Sequence, residues 1–206
     1  KSRFWDIAQE LYQEWYLGFE LYEEVEKKLA KTDFKKGYIK EEVVLADITK
    51  VNELLTDLKN NGFQIGIATG RPRTETLVPF ETIGWLTQFD EYHIGTASEV
   101  LNAETTYPEH KPLGKPNPFS YLIAHGGNSD ENYLTYINNQ EKVFKDKEIY
   151  IVGDSLADLL SAKKTGATFI GTLTGLKGQA ARAELEENDA DYIVDNVLDI
   201  RNILIK

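Results

Sequence analysis

The stretch IYIVGDSLADLLSAKKTGATFIGTLTG (149–175) decides the fold. EIYIVG (148–153) is a short, almost wholly apolar run, the pattern of a strand buried on both faces. It ends at Gly153-Asp154-Ser155, where capping residues open a helix that runs through Lys164 and breaks at Gly166. TFIGTL (168–173) is a second such strand. Strand, helix, strand in so short a span predicts a parallel βαβ unit.

The same rhythm extends outward. Downstream, DYIVD (191–195) is another strand, with helices before and after it. Upstream, Ile48, Val51, Leu54, Leu55 and Leu58 form a helical stripe that stops at Gly62, and FQIGIA (63–68) is a strand ending at Thr69-Gly70-Arg71. A helix follows from about Arg73 to Ile83, ended by Gly84, and EYHIGTA (91–97) reads as a strand. The prediction is an α/β fold: a doubly wound, Rossmann-like parallel sheet with helices on both faces.

Two segments interrupt the pattern. ETTYPEHKPLGKPNPFS (104–120) holds four of the six prolines and is expected to be an extended loop near a site. GGNSDENYLTYINNQEK (126–142) is polar and reads as a surface excursion. Residues 1–30 read as helix, with Phe4, Ile7, Ala8, Leu11 and Trp15 at helical spacing and the pattern resuming after Gly18. Its aromatics, Trp5 among them, are expected to pack on a neighbour rather than to form a binding box.

Composition bounds the function. The chain has 206 residues, with 34 Asp and Glu against 23 Lys and Arg, a formal charge of −11. With no clustered basic surface it is not expected to bind nucleic acid, whereas a few local cations in one cleft still suit a small anionic substrate. No apolar run approaches the ~18 residues of a membrane span, and KSRFWDIAQE lacks the apolar stretch of a signal peptide. There is no Cys, hence no disulfide framework, thiolate nucleophile or Cys-based zinc site. A cytoplasmic enzyme is expected; nothing in the sequence sets an oligomeric state.

In an open parallel sheet, ligands sit at the carboxyl ends of the strands. Thr69-Gly70-Arg71 follows one strand, Lys115 sits in the Pro-rich loop, and Asp154 follows another strand, with Asp158 one helical turn on. A hydroxyl with adjacent backbone N–H groups can hold phosphate oxygens, and an ammonium can neutralise developing charge. Two carboxylates a turn apart can hold Mg²⁺.

IGIATGRPRTET (65–76), LGKPNPFSY (113–121) and the 149–175 stretch, whose last motif is GDSxxDxxxAxxxG, resemble motifs two, three and four of the haloacid dehalogenase (HAD) superfamily. The phosphoglycolate phosphatase and β-phosphoglucomutase-like branch is the nearest in pattern. The resemblance covers about residues 43–206. It implies that Thr69 and Gly70 hold a phosphoryl group, that Lys115 steadies the charge of nucleophile and phosphate, and that Asp154 and Asp158 bind or orient Mg²⁺. Arg71 and Asn117 are the implied substrate contacts.

Motif one, a DxD pair closing the first strand, is expected to be missing, with no DxD anywhere in the chain. The resemblance makes its first Asp the phosphorylated nucleophile and its second the general acid/base, on the central strand of the sheet. The chain also contains no Met and opens on Lys1. The expectation is therefore that this strand lies in sequence outside residues 1–206, and that the chain by itself is inactive. Gly153-Asp154-Ser155-Leu156 also spells the nucleophile block of a serine esterase family, but His93, His110 and His125 all precede it and no GxSxG elbow occurs.

The resulting expectation is a Mg²⁺-dependent phosphohydrolase acting on a small phosphorylated metabolite. Residues 1–40 would form the C-terminal part of a helical cap and 41–206 the HAD-like core without its first strand. A phosphomutase of the same fold, or a non-catalytic phosphate- or partner-binding module, is the alternative.

Overall fold

A computed structural model describes residues 3–32 and 34–205, without the side chains of Trp5 and Asp6. In chain order the helices are α1 (Arg3–Leu17), α2 (Phe19–Glu26), α3 (Ile48–Asn60), α4 (Arg73–Thr82), α5 (Ala97–Thr106), α6 (Phe119–Gly126), α7 (Asp130–Asn138), α8 (Leu156–Thr165), α9 (Ala181–Glu187) and α10 (Arg201–Leu204). The strands are β1 (Ile67–Ala68), β2 (Ile94–Gly95), β3 (Tyr150–Gly153), β4 (Thr168–Thr172) and β5 (Tyr192–Val194). They fall into two units, Lys1–Val44 with Arg73–Leu86, and Leu45–Pro72 with Thr87–Lys206. Arg73–Leu86 joins the N-terminal helices because Val78 packs on their Leu17, Tyr22 and Ile39.

In the first unit, α1 and α2 meet at Gly18, whose φ of 83° is a left-handed conformation that a side chain would strain. A Cβ there would also lie 2.4 Å from the Lys36 carbonyl. The apolar stripe expected to pack on a neighbour is exposed instead: Phe4, Ile7, Leu11 and Trp15 all face solvent, while Glu14, at the margin of the same stripe, is completely buried. Glu14 accepts hydrogen bonds from the backbone N–H groups of Lys31 (2.9 Å) and Thr32 (2.7 Å) and from the Thr32 hydroxyl. A buried carboxylate is tolerated where its oxygens are so fully occupied. The expectation for Trp5 lies outside the described side chains.

The second unit carries the α/β fold. β1 and β2 pair in parallel through Ile67↔Ile94 and Ala68↔Gly95. β3, β4 and β5 form a separate parallel sheet in that order, with Gly153↔Gly171 and Gly171↔Ile193 in register. The buried Ile151, Leu159, Ala162, Phe169 and Leu185 form its core, which α6 shares through Tyr121 and Leu122. α8 starts at Ser155, which forms a capping box with Asp158, and stops at Gly166 in the left-handed region (φ 78°).

Between the two sheets lies an apolar slot of about 320 Å³. Its walls are Gln64–Gly66 with Ala68 on one side and Glu148–Val152 on the other, closed by Leu54 and Leu58 of α3 and by Tyr121 and Phe144. Val152, in the middle of β3, is 40% exposed, although a strand with helices on both faces should bury it. The expected strand 63–68 is laddered only at Ile67–Ala68 for the same reason: 64–66 border the slot and have no strand beside them there.

Two loop expectations are corrected. The segment 126–142, read as a polar excursion, contains α7, whose Tyr133 and Ile137 are buried one turn apart. The Pro-rich stretch 104–120 is extended only in part, since α5 runs to Thr106 and α6 begins at Phe119.

Candidate functional site

At the end of β1 the chain turns on Thr69. Its N–H donates to the Gly95 carbonyl (2.9 Å) and its hydroxyl accepts from Arg71 N–H (3.1 Å), which fixes the Thr69-Gly70-Arg71 turn. A Cβ built on Gly70 would meet nothing within 4 Å, so there is room for a ligand over this turn. The Arg71 carbonyl accepts from Ala97 N–H (2.9 Å), tying the turn to the start of α5.

Lys115 joins this turn to the other sheet. Its Nζ donates to the Ala68 carbonyl at the end of β1 (2.9 Å) and to Asp158 Oδ1 in the first turn of α8 (2.9 Å). Two points follow from this one side chain. The carboxyl ends of β1 and β3 lie at the same edge, so the strands on either side of the slot run in the same direction. The Thr69 turn, Lys115 and the β3–α8 junction are also one constellation, at the edge where open parallel sheets place ligands.

Asp158 is the hub of that constellation. It is 4% exposed and accepts five hydrogen bonds. Oδ1 takes Lys115 Nζ and the Tyr121 hydroxyl (2.7 Å), while Oδ2 takes the backbone N–H groups of Asp154 and Ser155 (3.2 Å each) and the Ser155 hydroxyl (2.8 Å). Burial pushes its pKa up, but the Lys115 charge and the hydrogen bonds from Tyr121, Lys115 and Ser155 outweigh it and hold the carboxyl below its usual value. Burial, then the neighbouring Asp158 charge, push the Tyr121 phenol well above its usual value, so it remains a donor.

The fit to Mg²⁺ follows from these partners. Hard cations need several free oxygen ligands. Asp154, exposed at the end of β3, supplies one. Asp158, paired with it in the sequence reading, has its oxygens taken by five donors and instead holds Lys115 and the turn that carries Asp154. Among the described residues no three of His, Cys, Asp and Glu gather as a metal site. Asp154 therefore fits as one ligand of a site whose remaining oxygens come from elsewhere.

Asn117 is placed apart from this edge chemistry. Its Nδ2 donates to the Pro112 carbonyl (3.2 Å), and its Oδ1 accepts from Phe119 N–H (3.1 Å) and Gln140 Nε2 (3.0 Å), so its amide shapes the loop that presents Lys115. The histidines are held locally as well: His93 Nδ1 lies 3.0 Å from the Ala124 carbonyl, and His125 stacks edge-on to Phe144.

A DxD triplet does occur, at Asp189-Ala190-Asp191, contrary to the expectation that the chain holds none. Asp191 Oδ2 accepts from Phe169 N–H (2.7 Å) at the start of β4, and Asp189 pairs with Lys163 (3.3 Å). Both precede β5 and lie at the amino edge of the sheet, opposite Asp154, so neither is the motif-one pair.

Parallel strands alternating with helices, with polar groups gathered at the carboxyl edge, define a Rossmann-like α/β domain. Residues 112–200 match the HAD-hydrolase-like family model. That stretch contains Lys115, Asn117, Asp154 and Asp158, while Thr69, Gly70 and Arg71 lie before it. An X-ray structure of a Northeast Structural Genomics Consortium target is similar over 97% of this chain, with 57% identity and a TM-score of 0.93. The chain spans 53% of that protein's length. No curated protein matches. No helix among the described residues is long and apolar enough to cross a membrane.

Proposed function

We propose that this chain is part of a phosphohydrolase that acts on a small phosphate monoester, and that its nucleophilic Asp enters on a strand filling the slot between β1 and β3. The observation that carries the reading is the double hydrogen bond of Lys115 to Ala68 and Asp158. It draws the ends of the two strands bordering the slot under one cation, so a strand inserted there would end beside Lys115. Such a strand would be apolar on both faces, as the slot lining requires.

Each residue then has a task. The Thr69-Gly70 turn offers the Gly70 backbone N–H and open space to phosphate oxygens. Lys115 places a positive charge where the transferring group and nucleophile gather negative charge. Asp158 keeps that ammonium in place, Arg71 bounds the substrate side, and Asn117 holds the loop that presents Lys115. Asp154 would hold Mg²⁺, which supplies Lewis-acid polarisation of a phosphoryl oxygen. The fold and the match at 112–200 support a hydrolase; the ester class and the cytoplasmic setting are part of the proposal.

Release of phosphate from an aryl phosphate and from phosphoglycolate, by the protein carrying this chain, tests the reading. Turnover should require Mg²⁺ and should fall together with Mg²⁺ affinity in Asp154→Asn. Wild-type turnover by that variant sinks the assignment, and phosphate binding without any turnover favours the non-catalytic module.

A further inference from the structure

Tyr121 belongs to the Lys115 constellation, and the reading above leaves it without a task. It lies on α6, a helix that packs against β1 and β2 while contributing to the core beneath β3. Its ring is buried, and its hydroxyl shares Asp158 Oδ1 with Lys115. The Lys115 Nζ also stands 4.7 Å from the centre of the same ring, within cation–π range.

An ammonium has three N–H donors. Two go to Ala68 O and Asp158 Oδ1, and the ring supports the charge without accepting a conventional hydrogen bond. One N–H is then without a partner among the described residues. A carboxylate alone would let a flexible lysine pivot about a single oxygen, whereas a carbonyl, a carboxylate and a ring face together fix its position. A Phe would fill the same volume and keep the ring face, but it could not reach Asp158. The hydroxyl therefore adds a second hold, on the acceptor itself: it sets the direction of Oδ1 and so where the lysine can bind it.

We propose that Tyr121 is a positioning residue, which fixes the Lys115 ammonium from two sides, through its ring face and through Asp158. The proposal rests on the phosphohydrolase reading for its consequence in turnover, though not for the placement itself.

The test compares wild type, Tyr121→Phe and Tyr121→Leu in the protein carrying this chain, by lysine-selective NMR and by steady-state phosphate release. Wild-type Lys115 should show ring-current-shifted side-chain protons, identified by their loss in Lys115→Arg. Tyr121→Phe should retain a ring shift of altered size and lose about tenfold in kcat with KM within twofold, the scale of one modest hydrogen bond. Tyr121→Leu should lose the ring shift and fall further in kcat. An unshifted wild-type Lys115 signal overturns the proposal, as does a folded Tyr121→Phe with wild-type kcat. If Tyr121→Leu does not fold, the wild-type shift and the Tyr121→Phe kinetics still decide. A ring shift present in a wild type that releases no phosphate bears out the placement and counts against the phosphohydrolase reading alone.

Discussion

A Cβ on Gly175 would lie 1.8 Å from Oδ2 of Asp154, so the chain after β4 passes with bare backbone against the carboxylate at the end of β3. The Asp154 Cβ is also within 2.7 Å of that position, so rotation of the carboxylate alone could not relieve the clash. Gly175→Ala should push Asp154 or the loop aside. Mg²⁺ affinity and phosphate release should then fall together by at least about tenfold, with little change in melting temperature because the loop is not part of the core. Calorimetric Mg²⁺ titration of this variant checks it, and wild-type affinity would show that the loop yields freely.

A loop position alone would make Lys115 removable with little loss of stability. The pairing with Asp158 changes that expectation, since Lys115→Ala leaves a nearly buried carboxylate without its counter-charge. Breaking one side of such a pair costs about 3 kcal/mol, and Tyr121, Ser155 and two backbone N–H groups remain to hold the cost at that low end. Denaturant melts of Lys115→Ala, Asp158→Asn and the double variant should show the double variant losing less than the sum of the two. Simple additivity would mean that the two residues act independently.

Acid should loosen the helical unit through Glu14. Burial raises this carboxyl, but the hydrogen bonds from Thr32 and from the Lys31 and Thr32 backbone bring its pKa below the usual 4.5. A group whose folded pKa is depressed contributes stability above its unfolded pKa, and that contribution is lost as pH falls through the folded value. The loss therefore falls below about pH 4.5. Glu14→Gln should flatten the acid limb of stability measured by circular dichroism, with a lower plateau near neutrality. An unchanged acid limb would assign the acid sensitivity to other carboxylates.

The slot makes a separate prediction about residues 1–206 expressed alone. With apolar edges open on β1 and β3, they should aggregate or melt without cooperativity, and should release no phosphate. Supplying the strand, in cis or as a peptide, should restore solubility and Mg²⁺-dependent activity together. A cooperative, active 1–206 chain would refute both the slot's occupant and the external nucleophile.

The residues most readable in advance were those whose local chemistry is self-sufficient. IYIVG, TFIGT and YIV are strands because near-continuous apolar runs need both faces covered, and α8 starts and stops where Ser155 and Gly166 dictate. α7 was missed because polar residues dominate its sequence, and only Tyr133 and Ile137, four apart, mark the buried face. The apolar stripe of α1 misled in the other direction: apolar spacing marks a face that suits burial, but the acceptor demand of two backbone N–H groups buried Glu14 instead.

By itself, then, the sequence determined the parallel α/β class, the order of its strands along the chain, and the residue types at the carboxyl edge, Thr69, Lys115 and Asp154. These depend on periodicity, capping and turn chemistry, which act over a few residues. Only the tertiary structure decided which carboxylate is spent on Lys115, that Tyr121 shares it, that Gly175 must be bare, and that an apolar slot separates β1 from β3. Those facts depend on groups tens of residues apart in sequence meeting within about 3 Å, the reach of a hydrogen bond, and no local pattern records such a meeting.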